Sequence, residues 1–216
     1  MKLHLGCGQV YLEGYTNIDY PLSKHTVQAK SVADKLADLT TLRYPAGSIE
    51  EVRLHHVFEH FTRPAALALL GGWYSWLQPN GRLHIEVPDF DATARRVLSR
   101  FTSDHDRKVG LRHIFGSNEA PWATHYEGWS QKRLEEVFGL FGFAVESTEH
   151  TSYLATHNVT VIGSKSEKAL SEKELAKRAK SYLQNFTVDQ SEFENRLLSI
   201  WLDEFKQQLG KSIARP

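Results

Sequence analysis

The chain has 216 residues, and its 26 Lys and Arg balance 26 Asp and Glu, so the formal net charge is zero. That length suits one α/β domain with a helical appendage, and the balanced charge offers no field for a nucleic acid or a membrane surface. No apolar run approaches the ~20 residues of a membrane span, and Cys7, the single cysteine, cannot form an internal disulfide. Strand-like sequence from Lys2 leaves no room for a signal peptide, so a reducing, cytoplasmic setting is expected.

The first predicted strand, Leu3–Leu5, breaks into Gly6-Cys7-Gly8. Without a Cβ, this turn can adopt φ > 0 and let a ligand approach the main chain. A second strand, Tyr15–Asp19, places a carboxylate at its tip, which suits ribose hydroxyls. Only Gln9–Gly14 separates the two, too little for an ordinary crossover helix. Tyr11 also stands where G-x-G-x-x-G has its third glycine. A pyrophosphate cofactor seated on a helix N-terminus is therefore disfavoured.

Further along, Ser31–Leu39 holds a short third strand ending near Ala37-Asp38-Leu39, and Glu51–His55 is a fourth. Thr62 and Pro64 open a helix over the apolar run Ala65–Leu77, which stops at Gln78-Pro79-Asn80-Gly81. Arg82–Val87 reads as strand, Asp91–Phe101 as helix and Thr102–Trp129 as a long irregular stretch. Ser130–Phe141 is an amphipathic helix with Leu134, Val137, Phe138 and Phe141 on one face, ended by Gly142. Phe143–Glu149 and Asn158–Ile162 are close enough to pair antiparallel. Past Ser164, the capping boxes Ser171-x-x-Glu174 and Ser191-x-x-Glu194 open two helices. The second carries Phe193, Leu197, Ile200, Trp201, Phe205 and Leu209 along one face. These helices are expected to cover the sheet face left bare by the missing early helix. A homodimer contact or a partner surface is the alternative.

Four segments taken in order resemble the class I S-adenosylmethionine-dependent methyltransferases, most closely the small type 11-like group. They are Leu3–Gly8 with Asn17-Ile18-Asp19, then Ala37-Asp38-Leu39, Val52–Phe61, and Trp76–Asp89. The resemblance implies a Rossmann-like α/β sheet, mostly parallel with an antiparallel last strand, over residues 1–165. Residues 166–216 would form a C-terminal helical extension. It further implies methyl transfer from S-adenosylmethionine to a small-molecule acceptor, more readily oxygen than nitrogen, such as a sugar or glycan precursor. Gly6, Cys7 and Gly8 would lie under the methionine and ribose part of the cofactor. Asp19 would hold the ribose hydroxyls, Asp38 the adenine amino group, and Leu39 the ring. His55 and His56 would border the methionine. The reading from another class is a non-catalytic S-adenosylmethionine-binding scaffold that recruits a partner through its C-terminal helices.

His56-Val57-Phe58-Glu59-His60 matches H-x-x-E-H, a zinc-protease pattern that needs a helix presenting both histidines. Here the segment follows a strand and Pro64 lies just beyond, so proteolysis is set aside. The same segment resembles the Glu-x-x-Glu-His of ubiquinone-pathway O-methyltransferases and small-RNA 2′-O-methyltransferases, where these groups bind a divalent ion. That resemblance implies His56, Glu59 and His60 as metal ligands, with His125 able to complete the site. A hydrogen-bonded cap on the next helix is the preferred role for the segment. Among the residues of 102–129, His113, Phe115, Trp122, His125, Tyr126 and Trp129 could line an acceptor pocket. His125 is the first choice for a general base and His113 the second.

Overall fold

The computed structural model describes residues 1–21, 30–166 and 170–213. Seven strands form one sheet: β1 (Lys2–Leu5), β2 (Thr16–Asp19), β3 (Lys35–Leu36), β4 (Ile49–His55), β5 (Leu77–Pro88), β6 (Phe143–Tyr153) and β7 (Thr156–Lys165). Their order is β3-β2-β1-β4-β5-β7-β6. The first five are parallel, whereas β7 runs antiparallel to both β5 and β6.

The strands alternate. Leu3, Leu5, Val52, Leu54, Leu83, Ile85, Val159 and Val161 share one face and are fully buried. By register, the other face carries His4, Arg53, His55, His84, Glu86 and Thr160. Parallel strands covered on both sides are usually apolar throughout; these read as a sheet with one apolar face. As expected, no helix joins β1 to β2, and residues 6–15 form a tight connection closed by Val10 N donating to Cys7 O at 2.9 Å.

The helices are α1 (Arg63–Trp76), α2 (Phe90–Leu98), α3 (Asp104–Phe115), α4 (Gln131–Leu140), α5 (Glu172–Gln184) and α6 (Glu192–Ser212). Helix α1 is apolar nearly all round, which demands partners on more than one side. It joins the buried cluster of the sheet's apolar face, and its outer side meets α5 and α6. Gly71 and Gly72 permit that approach: a Cβ there would lie 2.9 Å from Leu209 Cδ1 and 2.5 Å from Ser212 Cβ. Trp76 Nε1 donates to Ser212 O at 2.7 Å.

The C-terminal helices therefore do not cover the face left bare by the missing early helix. That face presents imidazoles and charges, which an apolar stripe could desolvate only at a cost, whereas α1 offers apolar surface. On α6 the buried side is Leu198, Phe205 and Leu209, while Phe193 and Ile200, expected on the packed face, are exposed.

Residues 102–129 are not irregular throughout, because α3 occupies the first half. Ser103 Oγ accepts from Asp106 N at 3.0 Å, Asp104 and Asp106 sit in the first turn, and Gly116 ends the helix at φ 89°. Its periodicity is weak because Gly110 is its only fully buried residue, packed on α2 beside Val97. Helix α2 stops at Leu98, short of the predicted Phe101, and starts from the Asp89 cap. β3 is only Lys35–Leu36, so Asp38 lies beyond it as the cap of a 3-10 turn, Leu39–Thr41.

Candidate active site

A cavity of about 400 Å³ opens at the C-terminal ends of β1, β2 and β4. It lies where the strand order reverses between β1 and β4, the usual ligand position in open α/β sheets. β1 delivers Gly6 and Gly8 to its floor, at φ 68° and 54°. The two glycines serve different needs. A Cβ on Gly6 would sit 2.2 Å from Val57 Cγ2, whereas one on Gly8 meets nothing within 4 Å. Gly6 N and Cys7 N both donate to Ile18 O, at 2.8 and 3.1 Å. Those amides are occupied, so the turn offers no pyrophosphate cradle through them. Cys7 is buried and does not line the cavity; burial, then Asp19, pushes its thiol up to about 11.

Asp19 and Asp38 line the same cavity. Asp19, at the tip of β2, accepts from Tyr20 N at 2.8 Å. Asp38 Oδ1 accepts from Thr40 N at 2.9 Å and from Thr40 Oγ1 at 2.7 Å, which fixes the carboxylate beside Leu39.

The two histidines ending β4 part company. His55 shares the open sheet face with Arg53, lies 3.1 Å from His84 by Nε2–Nε2, and does not line the cavity. His56 takes φ 53° and turns into the cavity wall. Its Nδ1 is 3.5 Å from Glu59 Oε1 and its Nε2 is 3.5 Å from Glu86 Oε1. Burial lowers its pKa, but the two carboxylates outweigh that and raise it to about 9.

Glu59 sits in the 3-10 turn Phe58–His60 rather than on a helix, so the protease geometry is absent from this segment. Its side chain is 1% exposed, and among the described residues its oxygens meet only imidazole edges at 3.5 Å or more, with no short hydrogen bond. Burial alone would push its carboxyl up, but His56, His60 and His125 together bring it below the usual range. His125 Nε2 lies 3.8 Å from Glu59 Oε1, and the His60 and His125 rings meet edge to face at 4.7 Å. His60 Nδ1 is 3.2 Å from the Thr124 carbonyl. One ligating atom from each of Glu59, His60 and His125 lies within 4.8 Å of the others.

Gly116 makes this meeting possible. It pairs antiparallel with Thr124, and a Cβ on it would be 2.1 Å from Ala123 O. His125 N then donates to Phe115 O at 3.2 Å, and Tyr126 N to Glu59 O at 2.9 Å. The end of α3 thus lays residues 123–127 across the 3-10 turn, with His125 over Glu59.

Of the side chains expected in the acceptor pocket, Trp122 lines the cavity, as do His56 and His60. His125 and His113 do not. His113 is on α3, bonds the His157 carbonyl at 3.0 Å, and lies 5.8 Å from His56 ring to ring. Phe115 and Tyr126 are exposed, and Trp129 stacks on Phe58 at 4.8 Å inside the core. Tyr20, Thr40, Val57 and Phe61 also line the cavity. Tyr20 and Thr40 flank the segments ending in Asp19 and Leu39, and Val57 and Phe61 lie within the segment Val52–Phe61.

No protein-family model matches the sequence, and no curated protein matches it either. Solved structures do match in fold. A S-adenosylmethionine-dependent methyltransferase from Methanosarcina mazei is 13% identical, with 77% of this chain and 92% of that one covered at a TM-score of 0.53. One from Mesorhizobium loti is 13% identical over 76% of this chain and 90% of that one, at 0.52. The 1,6-didemethyltoxoflavin-N1-methyltransferase of Burkholderia thailandensis, solved with 1,6-didemethyltoxoflavin and S-adenosylhomocysteine, is 13% identical over 77% and 71%, at 0.50. The chain has the Rossmann-like fold of the class I S-adenosylmethionine-dependent methyltransferases.

Proposed function

On the premise of that fold and this cavity, we propose that the chain transfers a methyl group from S-adenosylmethionine to a small hydroxylated acceptor, a sugar or glycan precursor being the preferred class. One observation carries the reading. Asp19, at the tip of β2, and Asp38, just beyond β3, face a single cavity whose floor Gly8 leaves open. Asp19 would take the ribose hydroxyls, Asp38 the adenine amino group and Leu39 the ring face, with Gly6, Gly8 and His56 around the methionine. Residues 1–165 would form the cofactor-binding unit, with the helices of 166–216 closing the outer side of α1.

A sulfonium methyl is already activated, so the protein's main task is to hold an acceptor in line, which can supply ~7–11 kcal/mol. A hydroxyl must also lose its proton, and a base contributes about 10²–10⁴-fold. On this geometry His60 is better placed for that role than His125 or His113, because its ring lines the cavity while Thr124 O holds Nδ1. Calorimetry should show S-adenosylhomocysteine binding and no NADH binding; the reverse would overturn the reading. A protein that binds S-adenosylmethionine but never consumes it across a panel of hydroxylated acceptors is the scaffold instead.

The buried Glu59 carboxylate, ringed by imidazoles without a short hydrogen bond, favours a second reading, in which Glu59, His60 and His125 hold a divalent ion beside the cavity. Two imidazoles and a carboxylate suit zinc and neighbouring transition metals, and the His60 ring is oriented by a backbone carbonyl, as metal-ligating histidines usually are. Bound there, the ion would supply Lewis-acid polarisation of the acceptor oxygen. The discriminating measurement is cobalt(II) titration of the apo protein. A visible absorption band that Glu59→Gln removes supports the metal, and its absence leaves His60 as the base.

A further inference from the structure

The open sheet face carries a line of polar side chains whose hydrogen-bond directions follow from one fact: a guanidinium only donates. Arg53 Nη1 lies 3.0 Å from His84 Nδ1. That nitrogen must accept, so His84 carries its proton on Nε2. His84 Nε2 lies 3.1 Å from His55 Nε2, which accepts in turn, so His55 carries its proton on Nδ1. His55 Nδ1 lies 3.7 Å from Glu86 Oε1, an electrostatic contact longer than a hydrogen bond, while Thr160 Oγ1 donates to Glu86 Oε2 at 2.9 Å. The order requires both rings to be neutral. Burial first, and Arg53 among the neighbouring charges, holds His55 near 4 and His84 near 3.

Glu86 is where this line meets the cavity. Its carbonyl accepts from His56 N at 3.0 Å, and its Oε1 faces His56 Nε2 at 3.5 Å. His56 keeps a positive φ that a residue with a Cβ adopts only when its surroundings hold it there. Thr160 and His55 address the Glu86 carboxylate, while the Glu86 backbone carbonyl holds the His56 amide, so residue 86 meets the turn through both its main chain and its side chain.

We infer that Glu86 is a positioning residue for the cofactor cavity, and that Arg53, His84 and His55 form a chain of single-tautomer hydrogen bonds that sets the protonated edge of His55 beside the Glu86 carboxylate and so favours its place against His56. The chain itself is independent of the proposed activity. Its last link, to the cavity, rests on the cofactor reading.

The test takes the full chain, labelled at histidine nitrogen, and records long-range ¹H–¹⁵N spectra at pH 7.5 without ligand. His84 should appear as the Nε2–H tautomer and His55 as Nδ1–H. Arg53→Met removes the only obligate donor, so His84 should lose its single tautomer. S-adenosylhomocysteine affinity should fall about tenfold in Arg53→Met and in Glu86→Gln, the low end of what losing a hydrogen bond to a charged group costs. Glu86→Gln keeps size and shape, which guards against a variant that merely fails to fold. An Nδ1–H tautomer for His84 in the unaltered protein would overturn the chain. Folded variants that lose thermal stability yet bind S-adenosylhomocysteine normally would reduce Glu86 to a structural residue and overturn the inference. No ligand binding by the unaltered protein would fail the cofactor reading and with it the last link, while the spectra would still decide the chain.

Discussion

Gly8→Ala separates a ligand effect from a folding effect, and Gly14→Ala is its matched control. Both glycines have positive φ, 54° and 81°, and a Cβ on either meets nothing within 4 Å. They differ in place: Gly8 lines the cavity and Gly14 does not. Holding alanine in the left-handed region costs about 1–2 kcal/mol. In a chain this size that lowers Tm by roughly 2–8 °C, and the loss should be similar in both variants without ligand. Only in Gly8→Ala does the methyl enter the space the cofactor would fill. Overpacking of about 1–3 kcal/mol corresponds to roughly 5–150-fold weaker binding of S-adenosylhomocysteine. Calorimetry with S-adenosylhomocysteine, beside thermal unfolding of the apo proteins, measures both quantities. Unaltered affinity in Gly8→Ala would refute the assignment of this cavity to the cofactor. Equal losses in both would show that strain, not space, had weakened binding. Gly6→Ala is no substitute, because its methyl meets Val57 Cγ2 at 2.2 Å and would disturb the fold itself.

Asp38→Ala should weaken S-adenosylhomocysteine by about 1–3 kcal/mol if the adenine amino group loses a buried acceptor, and loss of the cap on Thr40 N should cost a further ~1 kcal/mol of stability. Unchanged affinity in calorimetry would remove Asp38 from the cofactor site. His84 predicts an acid sensitivity: burial, then Arg53 and His55, hold it near 3, so the folded state stays neutral while the unfolded chain takes up a proton below ~6.5. The unfolded state then binds more protons, and stability falls by ~1.4 kcal/mol per pH unit. Urea titrations should show about 2 kcal/mol less acid loss between pH 6.5 and 5 in His84→Gln than in the unaltered protein, and identical slopes would disprove the buried neutral ring. Gly71→Leu should drive side-chain atoms into Leu209 and Leu175 and cost about 1–2 kcal/mol net of the gain in helix propensity. Differential scanning calorimetry should show the lower Tm with S-adenosylhomocysteine affinity intact; a lost affinity would tie the helical layer to the site.

The parts legible in the sequence are those set by local chemistry. Gly6-x-Gly8, the Asp19 tip, Thr62 with Pro64, and the Ser171 and Ser191 caps all act within a few residues. Helix α3 left readable marks too, Ser103 with Asp106 and then Gly116, but its polar face hid the period. Parity along β4 could have assigned His55 to the open face, since Arg53 and His55 are two apart and share a side. The positive φ of His56 could not be read, because the partners around it, Glu59 and Glu86, come from the following turn and from β5. Nor could the seat of His125 over Glu59, which depends on Gly116 pairing with Thr124 and on Tyr126 N reaching Glu59 O. The second pairing joins residues far apart in the chain, and no local pattern encodes it.

The one-sided sheet links the fold to the site. With no helix between β1 and β2, the polar face must satisfy its own groups, and it does so within the plane of the sheet. His4 Nδ1 meets Asn17 Oδ1 at 3.0 Å, Tyr15 donates to Glu51 at 2.7 Å, and Arg53 donates to His84 at 3.0 Å. His4, Asn17 and His84 are buried, and buried polar groups are tolerated when partnered. Apolar burial then falls to the opposite face, where α1 is enclosed by a second helical layer. The same absence shortens the connection after Gly8 to a turn whose first two amides bind Ile18 O. A phosphate finds no helix N-terminus there, while the open floor above Gly8 and the two carboxylates remain. The missing helix thus accounts for both the polar face and a cavity better suited to a nucleoside with an amino-acid tail than to a dinucleotide.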